Sequence, residues 1–134
     1  MKKIFFFLLF FPFLVNAQNK STWKLFNGCK KLLEGNAGEQ KIYEIKKENI
    51  SNLKIKYYPK ADRKNWNNTF IIMDTNRLEI IRVPANKNKL LIDKEMISNN
   101  SSIIVYIISK PTDPILASKI RVGTIPLVML KTIE

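Results

Sequence analysis

The residue types best suited to binding chemistry are concentrated between positions 54 and 66, where basic side chains alternate with aromatic ones. The cluster comprises Lys54, Lys56, Tyr58, Lys60, Arg63, Lys64 and Trp66. In an extended strand the first three lie on one face, because successive side chains point to opposite sides. Cations beside flat aromatic rings suit phosphate groups and anionic sugars. The pattern predicts an anion- or glycan-binding surface, and the alternative is a solvated strand face with Trp66 packed into the core.

The composition lacks the usual catalytic groups. The 134 residues include no histidine, one cysteine and four glycines. Mechanisms that pair serine or cysteine with histidine are therefore excluded, as are histidine-ligated zinc, thiolate zinc and iron–sulfur sites within one chain. Four scattered glycines also cannot build a glycine-rich phosphate loop. We expect a protein that is not an enzyme and that uses no metal and no cofactor.

Carboxylate pairs are the acid–base chemistry that remains. Glu44 with Glu48, and Asp93 with Glu95, are close in sequence, and a hydrolase can use two such groups as acid and base. Each pair lies among lysines in a predicted surface strand or turn, which favours ordinary surface charge. A carboxylate-based hydrolase is therefore the third of three functional hypotheses.

The chain is strongly basic, with a formal net charge of +12 at pH 7. Such a charge raises the local concentration of anionic partners. A competing explanation is genome composition, because the 19 lysines, 19 isoleucines and 14 asparagines share AT-rich codons. Arginine, the planar donor that phosphate-recognising surfaces favour, occurs only four times. We expect as partner an unidentified protein or an anionic component of the cell envelope, without specific nucleic-acid recognition.

The amino terminus has the features of an export signal. Lys2 and Lys3 precede an apolar run at residues 4–15, and Ala17 supplies the small residue after which a signal peptidase cleaves. A helix over that run would span about 18 Å, less than the roughly 30 Å hydrocarbon core of a bilayer. We therefore predict a cleaved signal peptide at 1–17, no transmembrane span after cleavage, and a periplasmic or extracellular location; an uncleaved anchor is the alternative.

The single cysteine, Cys29, cannot form an internal disulfide, so the fold must depend on packing. Two states are open for it: a small buried apolar residue, or a free thiol available for intermolecular pairing. The residues after the signal peptide are too few for two hydrophobic cores. We divide them into a lead-in at 18–38 and one domain at 39–134.

Short apolar segments separated by turn residues predict an all-β domain. Alternating or β-branched runs predict strands at 42–45, 53–58, 69–73, 78–83, 89–92, 103–108 and 120–133. Residues 23–34 fit a helix or a strand, because Asn27-Gly28 interrupts the apolar pattern. A single helical turn is predicted at 93–99, with Met96 and Ile97 pointing inward. The uninterrupted apolar run at 103–108 suits a central strand buried on both faces.

About seven strands at spacings near ten residues are typical of an antiparallel β-sandwich. The order of elements from residue 89 to residue 133 resembles an immunoglobulin-like topology, without the paired cysteines of antibody domains. Because such a fold hosts many functions, it leaves the role open. The first hypothesis is a non-catalytic exported protein with a binding or structural role. The second is electrostatic attachment to anionic glycan, lipid head groups or nucleic acid.

Overall fold

The computed structural model describes residues 20–46, 48, 50, 52–98, 102–120 and 122–133. The predicted signal peptide, with its cleavage site at Ala17, lies outside the described residues. The strands are β1 (Thr22–Asn27), β2 (Lys30–Asn36), β3 (Lys41–Lys46), β4 (Leu53–Tyr58), β5 (Asn67–Asp74), β6 (Glu79–Pro84), β7 (Lys89–Ile92), β8 (Ser102–Lys110) and β9 (Ile125–Ile133). The helices are α1 (Lys94–Ser98) and α2 (Pro114–Lys119), and single 3-10 turns occur at Ala61–Arg63 and Asn86–Asn88.

Two sheets enclose one apolar core. The four-stranded sheet has the order β2-β1-β4-β7, and the five-stranded sheet has the order β3-β9-β8-β5-β6. Neighbouring strands are antiparallel except for β3 and β9, which run parallel. The core includes Trp23 and Ile55 from the first sheet and Phe70 and Val105 from the second. The predicted all-β sandwich is confirmed, and the immunoglobulin-like connectivity stays a prediction.

The amino-terminal hairpin supplies the two strands that the sequence pattern did not resolve. Gly28 and Cys29 form a two-residue turn between β1 and β2, and Gly28 has a φ of 62°, a conformation that glycine adopts without steric cost. Asn27-Gly28 is thus a hairpin turn and not an interruption of a helix. Within the segment predicted as a lead-in, β1 pairs with both β2 and β4 and places Trp23 in the core.

A close contact fixes the packing of this hairpin. Trp23 lies opposite Gly35 on β2, and a Cβ atom at Gly35 would stand 2.9 Å from Cζ2 of the indole ring. The indole Nε1 donates a hydrogen bond of 3.3 Å to the carbonyl oxygen of Asn36. Only glycine leaves room for the ring at this position without a shift of the ring or of the backbone.

Strand β8 is central, as its apolar composition predicts, and lies between β5 and β9. Its burial alternates, however: Ile103, Val105 and Ile107 are buried, whereas Ile104 and Ile108 on the opposite face are half-buried. The prediction that both faces are buried is therefore wrong for the outer face. An uninterrupted apolar run does not reveal this, because alternation appears only when one face carries polar residues.

The helical turn predicted after β7 is confirmed as α1. The amide of Met96 donates a hydrogen bond to the carbonyl oxygen of Asp93, and Ile97 is fully buried in the core. Helix α2 begins after Asp113, whose side chain accepts a hydrogen bond from the Ile115 amide and so caps the first turn. In the described parts of the chain, neither helix has the length and apolar character needed to cross a membrane.

Candidate anion-binding face

Strand β4 positions the centre of the predicted cluster. Its sequence alternates apolar and lysine residues, so Lys54, Lys56 and Tyr58 point away from the core. The inward side chains are those of Leu53, Ile55 and Tyr57. Burial of these three residues fixes the strand's register, because a shift by one residue would place both lysines in the core.

Neighbouring strands extend this surface with residues outside the predicted cluster. Lys24 on β1 lies opposite Lys56, and Lys89 on β7 lies opposite Lys56 from the other side. Phe26 on β1 lies opposite Lys54. We call the group formed by Lys24, Phe26, Lys54, Lys56, Tyr58 and Lys89 the basic face. Period-two alternation along residues 22–27 could have indicated Lys24 and Phe26 as outward residues.

Three lysines thus form one row across adjacent strands. Neighbouring strands are about 4.8 Å apart, and Lys24, Lys56 and Lys89 occupy successive positions in the row. Like charges directly opposite one another destabilise a sheet. In the four strands of this sheet, all of them described, Glu34 is the one acidic residue. Glu34 lies opposite Lys24 at the β2 end of the row, and its carboxylate is 3.4 Å from the ammonium of Lys31, a lysine outside the row. One acidic residue therefore adjoins the three lysines.

Aromatic rings lie beside the ammonium groups of three of the four lysines in the basic face. Lys24 Nζ is 5.2 Å from the centroid of the Tyr58 ring. Lys54 and Lys56 Nζ are 5.5 and 5.3 Å from the centroid of Phe26. Such contacts contribute about 0.5–1 kcal/mol each at exposed sites. They offset part of the repulsion, and they restrict lysine side chains that would otherwise be mobile.

The basic face continues into a concavity beside Tyr58. Lys56, Lys87 and Lys89 line this concavity of about 430 Å³, and none of its described lining residues is acidic. Lys87 and Asn88 have φ angles of 57° and 55°, in the left-handed region that non-glycine residues rarely adopt. The short connection between β6 and β7 therefore places Lys87 in the same concavity as Lys56 and Lys89.

The remaining members of the predicted cluster lie in the loop after β4. Lys60 and Arg63 line a separate concavity of about 290 Å³ at the end of the sandwich. The guanidinium carbon of Arg63 is 4.6 Å from the centroid of the Trp66 ring, and Lys64 is exposed. Trp66 is half-buried and does not belong to the core, so the alternative in which it packs inward is wrong. The structure therefore joins Lys54, Lys56 and Tyr58 on one surface and places Lys60 and Arg63 on another.

The two carboxylate pairs lie on exposed parts of the sandwich. Glu44 and Glu48 line one concavity of about 570 Å³, where Lys30 and Lys46 are also found. Asp93 and Glu95 are both exposed. A carboxyl group that acts as an acid near neutral pH is usually set in an apolar pocket. Glu44, Glu48 and Glu95 have the character of mixed surface charge, and Asp93, which lines a larger and mostly apolar concavity, is itself exposed.

Cys29 is an exposed free thiol in the turn between β1 and β2. Of its two predicted states, burial as a small apolar residue is wrong, because the hairpin turn carries this side chain outside both sheets. Across the described residues, no group of three or more acidic, cysteine or histidine side chains is arranged to hold a metal ion. Comparisons with protein-family models, with curated proteins and with solved structures find no match to this chain.

Proposed function

We propose that this protein is a non-catalytic exported binding protein and that its basic face attaches to an anionic polymer of the cell envelope or of the extracellular space. The observation that carries the proposal is the row formed by Lys24, Lys56 and Lys89 on three adjacent strands. The row costs stability in the free protein through like-charge repulsion. A bound polyanion would remove that repulsion.

The form of the surface favours a linear ligand with repeated charges. The lysines are spread along a sheet face and into the neighbouring concavity instead of converging on one deep pocket. Their ammonium groups act as point charges and lack the fixed two-pronged geometry of arginine. Binding therefore depends on the number and spacing of negative charges, which suits an anionic glycan or an array of lipid head groups.

Retention on immobilised dextran sulfate tests the proposal. Replacing Lys24, Lys54, Lys56 and Lys89 by Gln should abolish retention at physiological salt while leaving the circular dichroism spectrum unchanged. Each lysine that no longer pairs with a sulfate group should make the slope of log affinity against log salt less steep, because fewer counterions are released on binding; for nucleic-acid phosphates the change is about 0.7 to 0.9 per contact.

A matched control replaces four lysines outside the basic face with Gln. Lys46, Lys110, Lys119 and Lys131 are all exposed, and their replacement lowers the net charge by the same amount. The control protein should keep most of its retention. Equal losses in the two variants would mean that total charge alone determines binding, and the basic face would then have no special role.

A further inference from the structure

A concavity of about 840 Å³ lies at one end of the four-stranded sheet. The turn between β1 and β2, the start of β4, strand β7 and helix α1 contribute its walls. Its apolar lining includes Leu53, Leu91, Ile92 and Met96. The size is within the range of small-molecule sites, which are typically concave and mostly apolar.

Leu91 is the exposed apolar residue of this concavity. It lies on β7, an edge strand, opposite Lys54, and 68% of its surface is accessible. Edge strands are usually protected by being short or by carrying charged side chains. A large aliphatic side chain exposed there, in the same concavity as the half-buried Met96, provides hydrocarbon surface that a ligand can cover.

Positive charge surrounds this apolar surface. Lys54, Lys89 and Lys94 belong to the lining, and Asp93 is the one acidic residue among the described lining residues. An apolar lining that also includes three lysines is complementary to a molecule that has a hydrocarbon chain and a negative head group. A polyanion without a hydrocarbon chain would contact the lysines and leave Leu91 and Met96 uncovered.

We propose that this concavity binds a single-chain anionic amphiphile of the fatty-acid type. The acyl chain covers Leu91 and Met96, and the carboxylate lies among Lys54, Lys89 and Lys94. The site goes beyond the polyanion-binding function, because it adds an apolar contact and a lysine, Lys94, that is not part of the basic face.

Cys29 provides a direct measure of occupancy, because it lines the same concavity and is the only cysteine of the chain. The rate at which iodoacetamide alkylates Cys29 is measured with and without laurate, below the concentration at which laurate forms micelles. Laurate should slow alkylation at least fivefold. The neutral lauroyl glycerol, which has a chain of the same length, should have little effect. Absence of protection by laurate, or equal protection by the neutral lipid, would overturn the proposal.

Leu91→Asn should weaken laurate binding, measured by calorimetry and by Cys29 protection, at least tenfold. Leu78→Asn is the matched control, because Leu78 is 65% exposed and does not line the concavity. Lys94→Gln should weaken laurate binding without changing retention on dextran sulfate, whereas Lys119→Gln should change neither. Equal effects of the two leucine variants would contradict the proposed position of the chain.

Two further experiments distinguish laurate binding in this concavity from polyanion binding to the basic face and from contact with a membrane surface. Lys24→Gln should reduce dextran sulfate retention and leave laurate protection of Cys29 intact, so either proposal can fail alone. In the second experiment, vesicles of anionic phospholipid are used in place of laurate. Binding to these vesicles without any protection by free laurate would overturn the single-chain site in favour of contact with a bilayer surface.

Discussion

One row of residues on the outer face of the four-stranded sheet is mostly basic, whereas one row on the outer face of the five-stranded sheet is mostly apolar, although both sheets pack on the same core. On the four-stranded sheet, one row across the strands places Lys24, Lys56 and Lys89 side by side. One row of the five-stranded sheet places Ile42, Met129, Ile104 and Met73 side by side and continues to Glu79 on β6. The first row keeps positive charge in solvent, and the second forms an apolar strip that ends at Ile42, which is 61% exposed. The chemistry of each face therefore depends on which strands become neighbours.

The two rows have opposite effects on the stability of the free protein. Neighbouring lysines repel one another, so the basic face costs stability unless an anion is bound. Neighbouring aliphatic side chains shield one another from water, so the apolar strip adds a moderate amount of burial outside the core. Substitutions on the two faces, and in the core between them, should separate these contributions.

Adjacent residues of β8 give the largest expected contrast. Val105→Asp should prevent folding, because an unpaired carboxylate in the core costs several kcal/mol, comparable with the roughly 5–15 kcal/mol stability of a whole domain. Ile104→Asp, on the half-buried outer face, should lower the free energy of unfolding by about 1–2 kcal/mol and still give a soluble protein. Thermal melts followed by circular dichroism measure both. Similar losses in the two variants would mean that the outer face is as closed as the core.

Gly35→Ala tests how tightly β1 and β2 of the four-stranded sheet pack around Trp23. The new methyl group would overlap the Trp23 ring, and such overpacking costs about 1–3 kcal/mol. Gly123→Ala is the control, because a Cβ atom at Gly123 meets no heavy atom within 4 Å. We expect a clear fall in melting temperature for the first variant and almost none for the second. Equal melting temperatures would show that the indole ring moves aside without cost.

The smallest effects concern the charges of the two outer faces. Lys89 lies opposite Lys56, whereas Lys131 lies opposite Glu44. At low salt, Lys89→Gln should raise the free energy of unfolding by a few tenths of a kcal/mol, and Lys131→Gln should lower it by a similar amount. In 1 M salt the Debye length falls to about 3 Å, so both differences should shrink. Changes of the same sign at low salt would contradict the repulsive row.

Several elements of the molecule could be predicted from the sequence because they depend on local geometry. The alternation in residues 53–58 placed Lys54, Lys56 and Tyr58 on one face, since a strand turns successive side chains to opposite sides. The short helical turn after β7 was equally local. The uninterrupted run at 103–108 identified a central strand but left its outer face undecided, because a run without polar residues carries no alternation.

Only the tertiary structure decided which residues stand beside the predicted ones. Lys24, Lys56 and Lys89 are far apart in the chain, and they meet because the inward residues of β1, β4 and β7 pack into one core at a single register. Cysteine and tryptophan occur both in protein cores and on protein surfaces, so residue type did not decide the burial of Cys29 or Trp66. Packing placed Cys29 in an exposed turn and Trp66 against Arg63. Alternation is a property of a single strand, whereas adjacency is a property of the whole sheet. The sequence therefore determined the faces of strands with an alternating pattern, such as β4, and long-range packing determined the composition of the basic face.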